Sequence, residues 1–247
     1  MSYMTHILHN AQDAILGRVF SHLAQINTPK CILAGGTALA RYYLHHRVSY
    51  DLDFFVGEEF SPEKLSIDLG RIGIILDNVS IDSGGVFAHQ LHGYAKLDDS
   101  IVKISFVEDV YADMWPLKKF GNVITEEIGG LYHRKLRAIS GSGYGKATKG
   151  ARQTARDLLD AYVLNSQIQP IHLFLIESNQ RGANFPQDAF SANILSMPWI
   201  ELIDEFDGLE LLSPYLGLTL NGNIKPSLVR EALAIQGLNG GDDESQS

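Results

Sequence analysis

The chain has 247 residues, 45% of them apolar and 20% charged, with a formal net charge of -9, the profile of an ordinary globular protein. That acidic balance argues against a protein coated in nucleic acid. No apolar run reaches the roughly 18 residues a bilayer span needs, no charged-then-apolar leader opens the chain, and a single cysteine, Cys31, excludes a disulfide framework, so a reducing cytoplasm is the expected compartment.

Residues 4 to 26 place Ile7, Leu8, Ala11, Ile15, Val19, Phe20 and Leu23 at helical spacing, which predicts an amphipathic opening helix. Cys31 to Ala34 reads as a short buried strand stopped by Gly35-Gly36. Thr37 is expected to cap a helix from Ala38 to about His46. Tyr50 to Val56 reads as the next strand, and Ser61-Pro62 as the cap and first position of another helix. Two or three strands are expected between Val79 and Glu108, with turns at Ser83-Gly84-Gly85 and Asp98-Asp99. From Thr125 the pattern becomes helical, one helix around Ile128 to Ile139 and another around Ala151 to Val163, and prolines cut the remainder into short helices. The segment from Gly237 onward is small, polar and acidic, and is expected to be disordered. The prediction is therefore an α/β domain over residues 1–120, a helical domain packed against it over 121–236, and a tail over 237–247.

The chemistry concentrates between Leu33 and Val56. A Gly-Gly-Thr turn links a strand to a helix, where glycine lets backbone approach a ligand and the helix start offers N–H groups to an anion. The next strand carries Asp51 and Asp53, and alternation puts both carboxylates on one face while Leu52 and Phe54 point to the core. Arg47 and Ser49 stand just before them. Two carboxylates on one strand suit magnesium whose other ligands are substrate phosphates, and two such ions about 4 Å apart can serve both the attacking and the leaving oxygen. An Asp-x-Asp alone also describes an exposed strand face; the combination with the turn is what specifies a triphosphate site.

Basic residues cluster as well. From Ile128 through Arg156 there is no acidic residue, and the stretch holds Arg134, Lys135, Arg137, Lys146, Lys149, Arg152 and Arg156. Such a patch serves a triphosphate or a short RNA, or is a solvated helix face. His45-His46 and His89-x-x-His92 do not have zinc spacing and read as structural or surface residues. The glycine-rich run Ser140 to Lys146 lacks the P-loop spacing and reads as a loop.

The Gly-Gly-Thr turn, the helix and Arg47-x-Ser49-x-Asp51-Leu52-Asp53 resemble the opening motif of the AbiEii/AbiGii-type nucleotidyltransferases, a branch of the polymerase-beta-like superfamily that includes toxins of type IV toxin–antitoxin pairs. His133 to Ala138 looks like that family's helical lysine motif, and Arg156-Asp157-Leu158-Leu159-Asp160 like its Arg-Asp-x-x-Asp motif. The resemblance covers residues 33 to 162. It implies the nucleotidyltransferase fold, a small mixed sheet flanked by helices with a helical half behind it. It further implies phosphate contacts at Gly35, Gly36 and Thr37 with Arg47 and Ser49 beside them, Mg2+ on Asp51 and Asp53, and Lys135 and Asp157 lining the nucleotide or acceptor site. A nucleoside triphosphate, an RNA acceptor and a cognate antitoxin protein are the implied partners.

Superfamily members place a third carboxylate on a later strand. In the matching strand, Ile101 to Val107, that position holds Ser105, and Asp109 shares its parity beyond the strand end. Three readings stay open: transfer to RNA, transfer to a small molecule or a protein, and a catalytically silent fold that binds nucleotide or a partner.

Overall fold

The structure is a computed structural model that describes residues 3–22, 30–57, 60–83, 88–97, 100–109, 111–141 and 153–240. Helix α1 spans Tyr3–His22, and the strands are β1 (Cys31–Ala34), β2 (Leu52–Val56), β3 (Leu76–Asp82), β4 (Gln90–Leu97), β5 (Ser100–Glu108), β6 (Leu117–Phe120) and β7 (Val123–Glu126). Helix α2 (Gly35–Leu39) loosens into a π-helical turn over Ala40–Leu44, and α3 covers Pro62–Arg71. The strands form one mixed sheet in the order β3-β4-β5-β2-β1-β7-β6.

One sheet face is the core. Leu33, Leu52, Phe54, Leu91, Val102 and Ile104 are fully buried there, with Phe106 stacked on Phe54 at 4.7 Å between ring centroids. The stripe Ile15, Leu16 and Val19 of α1 is buried too, and Phe20 of α1 reaches Phe54 at 6.0 Å. Helix α3 is capped as its sequence predicts: the Ser61 hydroxyl accepts from the Lys64 N–H at 3.2 Å, with Pro62 at the first helical position.

Contacts divide the chain into two compact units, Met1–Leu131 and Tyr132–Ser247. A boundary after residue 120 would cut the β6–β7 hairpin, whose second strand runs parallel to β1. This hairpin is absent from the sequence expectation. Its residues do not alternate cleanly, and its stabilisation is tertiary: the Lys118 ammonium lies over the rings of Tyr43 and Phe120 at 5.5 and 5.3 Å.

The second unit contains α4 from Tyr132 (the helix spans Ile128–Ser140), α5 (Ala155–Gln167), α6 (Ile171–Gln180), α7 (Gln187–Leu195), α8 (Ile203–Asp207) and α9 (Lys225–Gly240). Tyr132 stacks on Phe174 at 4.1 Å and donates to the Gln169 carbonyl at 2.9 Å. Helix α9 continues through Gly240, beyond the expected tail start at Gly237; residues 241–247 lie outside the described residues. No helix among the described residues is long and apolar enough to cross a membrane.

Candidate active site

The strand–turn–helix–strand unit forms as a tight nest of polar contacts. Helix α2 begins at Gly35 itself, so Thr37 sits in its first turn and is not the cap; Ala34 holds that position with no side-chain bond. Instead the buried Thr37 hydroxyl bonds the Ser49 hydroxyl at 2.9 Å and donates to the Asp51 carbonyl. The helix starts three residues earlier than a Thr37 cap would set it, because Gly35 takes a left-handed φ of +66° that turns the chain there.

Both glycines are needed for closeness. A Cβ on Gly35 would strike the Asp53 carboxylate and stand 3.1 Å from the Asp53 Cβ. A Cβ on Gly36 would strike the Arg47 guanidinium and stand 3.2 Å from the Ser49 Oγ. Arg47 and Ser49 are buried, and Arg47 donates to the Val48 carbonyl at 3.1 Å. From α1, Gln12 donates to the Ser49 and Tyr50 carbonyls at 2.9 and 3.2 Å, and Arg41 donates to Gln12 in turn at 3.2 Å. The backbone leading into Asp51 is therefore held from two sides.

Strand β2 starts at Leu52, so Asp51 immediately precedes it. Leu52 and Phe54 are fully buried, whereas Asp51 and Asp53 are half-buried. In register, Asp53 lies between Ala34 of β1 and Ser105 of β5, so Ser105 does stand in the row of the expected third acid. Asp109 falls past the end of β5 and turns back on itself, accepting from the Tyr111 N–H at 2.9 Å. The next residue in the row, opposite Ser105, is His92, which pairs with Gln90 Oε1 at 2.9 Å. Burial, reinforced by Lys103, holds His92 below the usual imidazole range, and Asp53 opposes the shift. The sequence reads His92 as a structural or surface residue. The pairing of Leu97 with Ser100 sets the register that brings His92 opposite Ser105.

Fit to a divalent cation can be judged from the donors. Among the described residues no group of three or more His, Cys, Asp or Glu side chains is arranged around one ion. The Asp53 carboxylate stands beside the glycine turn, and one or two carboxylates are a sufficient protein contribution where phosphate oxygens complete a magnesium shell.

The other motif residues form a second cluster within the Tyr132–Ser247 unit. Lys135 Nζ contacts Asp157 Oδ1 at 2.6 Å and Asp160 Oδ2 at 2.8 Å, with the three side chains 6%, 2% and 0% exposed. Thr154 caps α5 and its hydroxyl also donates to Asp157 Oδ2 at 2.9 Å; its part was not anticipated. Both acids are buried, so they are not helix-surface groups. The basic stretch is partly structural too. Arg137 donates to His133 Nε2 at 3.3 Å and to the Asn184 carbonyl at 3.1 Å, and lies over Phe185. Arg134 and Arg156 are half-buried, and Lys146, Lys149 and Arg152 lie outside the described residues.

Comparison with known proteins decides the family. The family model described as nucleotidyl transferase AbiEii toxin, type IV toxin–antitoxin system, matches residues 18–183, more than half of the chain. The chain belongs to the AbiEii nucleotidyltransferase toxin family. Solved structures share the fold. JHP933 from Helicobacter pylori aligns with a TM-score of 0.57 at 18% identity, over 99% of this chain and 97% of that one. A structure described as a nucleotidyltransferase from H. pylori aligns at 0.52 and 18%, over the full length of both chains. MenT4, a nucleotidyltransferase toxin from Mycobacterium tuberculosis H37Rv, aligns at 0.51 and 14%, over 94% of this chain and 84% of that one. No curated protein matches. The AbiEii family model spans the glycine turn, the Asp-x-Asp strand and the Lys135–Asp157 cluster alike.

Proposed function

We propose that this AbiEii-family chain transfers a nucleotide from a nucleoside triphosphate to an RNA hydroxyl, with magnesium, as the toxin of a toxin–antitoxin pair. The observation that carries the proposal is the Asp53 carboxylate set against Gly35 at a distance only glycine permits. That contact puts a carboxylate beside the start of a helix, the combination that receives a metal-bound triphosphate. Bound magnesium would neutralise phosphate charge and favour the ionised acceptor hydroxyl. The acceptor oxygen forms a bond to the α-phosphorus, the bond from that phosphorus to the β-phosphate oxygen breaks, pyrophosphate leaves, and the hydroxyl proton passes to solvent. Asp51 and Asp53 hold the metal; Gly35, Gly36 and the helix start receive phosphate; Thr37, Arg47 and Ser49 keep Asp51 in place. Lys135 and Asp157 belong to the same reaction by family motif, and the pairing with Asp160 supports a lysine of fixed orientation.

Incubation with each labelled triphosphate, magnesium and total RNA tests this directly. Label is expected in RNA, and Asp51→Asn should lower it by at least about a hundredfold, the scale of a lost electrostatic contact in a reaction centre, with an unchanged circular dichroism spectrum. Label in protein would move the acceptor to a polypeptide. One observation favours a second reading: Ser105 stands where superfamily enzymes carry an acid. A silent nucleotide-binding fold would bind triphosphate in the same assay and transfer none.

A further inference from the structure

The sheet face opposite the core carries a graded row of side chains. Asp53, Ser105 and His92 share one register row, Lys103 and Tyr94 the next, and Ile101 and Lys96 the one beyond. Their neighbours on the strands, Leu91, Ala95, Val102 and Ile104, all fill the core. The outer rows lead to a cleft of about 290 Å³ lined by Asp77, Asn78, Tyr94, Lys96 and Ile101. Tyr94 is 41% and Ile101 66% exposed. The cleft is shaped by an irregularity in β3: the β3–β4 register shifts between Asp77 and Ser80, and Asn78 there adopts a left-handed φ of 49°. Bulges of this kind re-aim side chains and recur beside functional sites.

We propose that this cleft seats a nucleobase of a single-stranded RNA acceptor, two or three nucleotides from the end presented to Asp53. The inference rests on the RNA-acceptor reading above. Tyr94 supplies the flat ring on which a base stacks, Asp77 and Asn78 supply an acceptor and an amide for a base edge, and Lys96 faces the backbone phosphate. Sequence-tolerant single-strand binding uses this combination of aromatic platform and cations. Two strand spacings of about 4.8 Å and two residues of about 3.3 Å separate Tyr94 from Asp53, on the order of 12 Å across the sheet, a gap that a short stretch of single strand bridges. A protein partner fits less well. The lining is one ring and one isoleucine among three polar side chains, whereas a docking core is depleted of charge. The acidic chain as a whole also makes a local stacking site a better anchor for RNA than a diffuse positive surface.

The test is fluorescence anisotropy with a labelled single-stranded RNA oligonucleotide on the full chain, with magnesium-dependent triphosphate binding measured separately. Tyr94→Ala should weaken RNA binding about tenfold, Tyr94→Phe should stay within about twofold, and Lys96→Ala should weaken binding more at low salt than at high salt. Triphosphate binding should not move in any of the three. Equal RNA affinity of Tyr94→Ala and the unsubstituted chain overturns the cleft while leaving RNA transfer standing. A shifted triphosphate affinity in Tyr94→Ala also overturns it, because the cleft would then hold the donor's base. If the unsubstituted chain neither binds nor labels RNA, both this inference and the RNA reading fall.

Discussion

At the residue scale, the decisive feature is how little space lies between the Gly35 backbone and Asp53. Two glycines separate the causes. Gly35 and Gly121 have similar left-handed φ values, +66° and +60°, but a Cβ on Gly121 meets no described atom within 4 Å. Gly121→Ala should therefore lose only the backbone term, about 1–2 kcal/mol, and keep its activity. Gly35→Ala should lose more stability in urea unfolding, because Asp53 must move, and should lose transfer activity as well. Equal losses in the two variants would remove the close contact from the account. Thr37 teaches a related point. A threonine after glycines reads as a cap from its neighbours alone, but the Ser49 hydroxyl that takes its bond is twelve residues away and invisible to local pattern.

At the scale of elements, much of the site was legible because its logic is period-two alternation. Leu52, Phe54, Ile104 and Phe106 went to the core as their parity demands, and that placed Asp53 and Ser105 side by side. Strand β6 was not legible, since Leu117, Lys118 and Lys119 are all exposed and no buried side chain marks it; β7 buries Val123, Thr125 and Glu126, two of them polar, over only four residues. The α4–α5 cluster was legible as motif but not as chemistry: sequence showed a lysine and two acids, and the structure makes them one buried triad. Removing one member of such a group leaves uncompensated charge in the interior. Lys135→Met should lower stability by about 3–5 kcal/mol, read as a fall in the urea midpoint. Asp160→Asn keeps the Lys135–Asp157 contact and should lose less. An activity loss in Lys135→Met therefore counts as catalytic only when measured under conditions where circular dichroism shows the variant folded. A Lys135→Met unfolding free energy within about 1 kcal/mol of that of the unsubstituted chain would mean the triad does not hold α4 to α5.

At the scale of the whole molecule, the basic run from Ile128 to Arg156 contains a buried imidazole whose titration is expected to couple to folding. His133 is fully buried, and burial, followed by the charges of Arg137 and Arg134, pushes its imidazole down to about 3 from an ordinary 6.5. The folded chain thus keeps His133 neutral while the unfolded chain protonates it below pH 6.5. Protons bind preferentially to the unfolded state in that window, so stability present above pH 6.5 drains as pH falls toward 3. The limiting slope is about 1.4 kcal/mol per pH unit from this one group, superimposed on the carboxylates, which act most strongly at the lower end. Urea unfolding of the unsubstituted chain and of His133→Leu, compared between pH 7 and pH 5, isolates the contribution. His133→Leu loses the Arg137 hydrogen bond and should start lower at pH 7, so the readout is the slope and not the intercept. The unsubstituted chain should lose more stability through this window than His133→Leu, which keeps the smaller slope of His92. Parallel slopes would mean that the imidazole reaches solvent protons without unfolding, and that the Arg134–Arg137 segment opens more easily than its packing on Phe185 indicates.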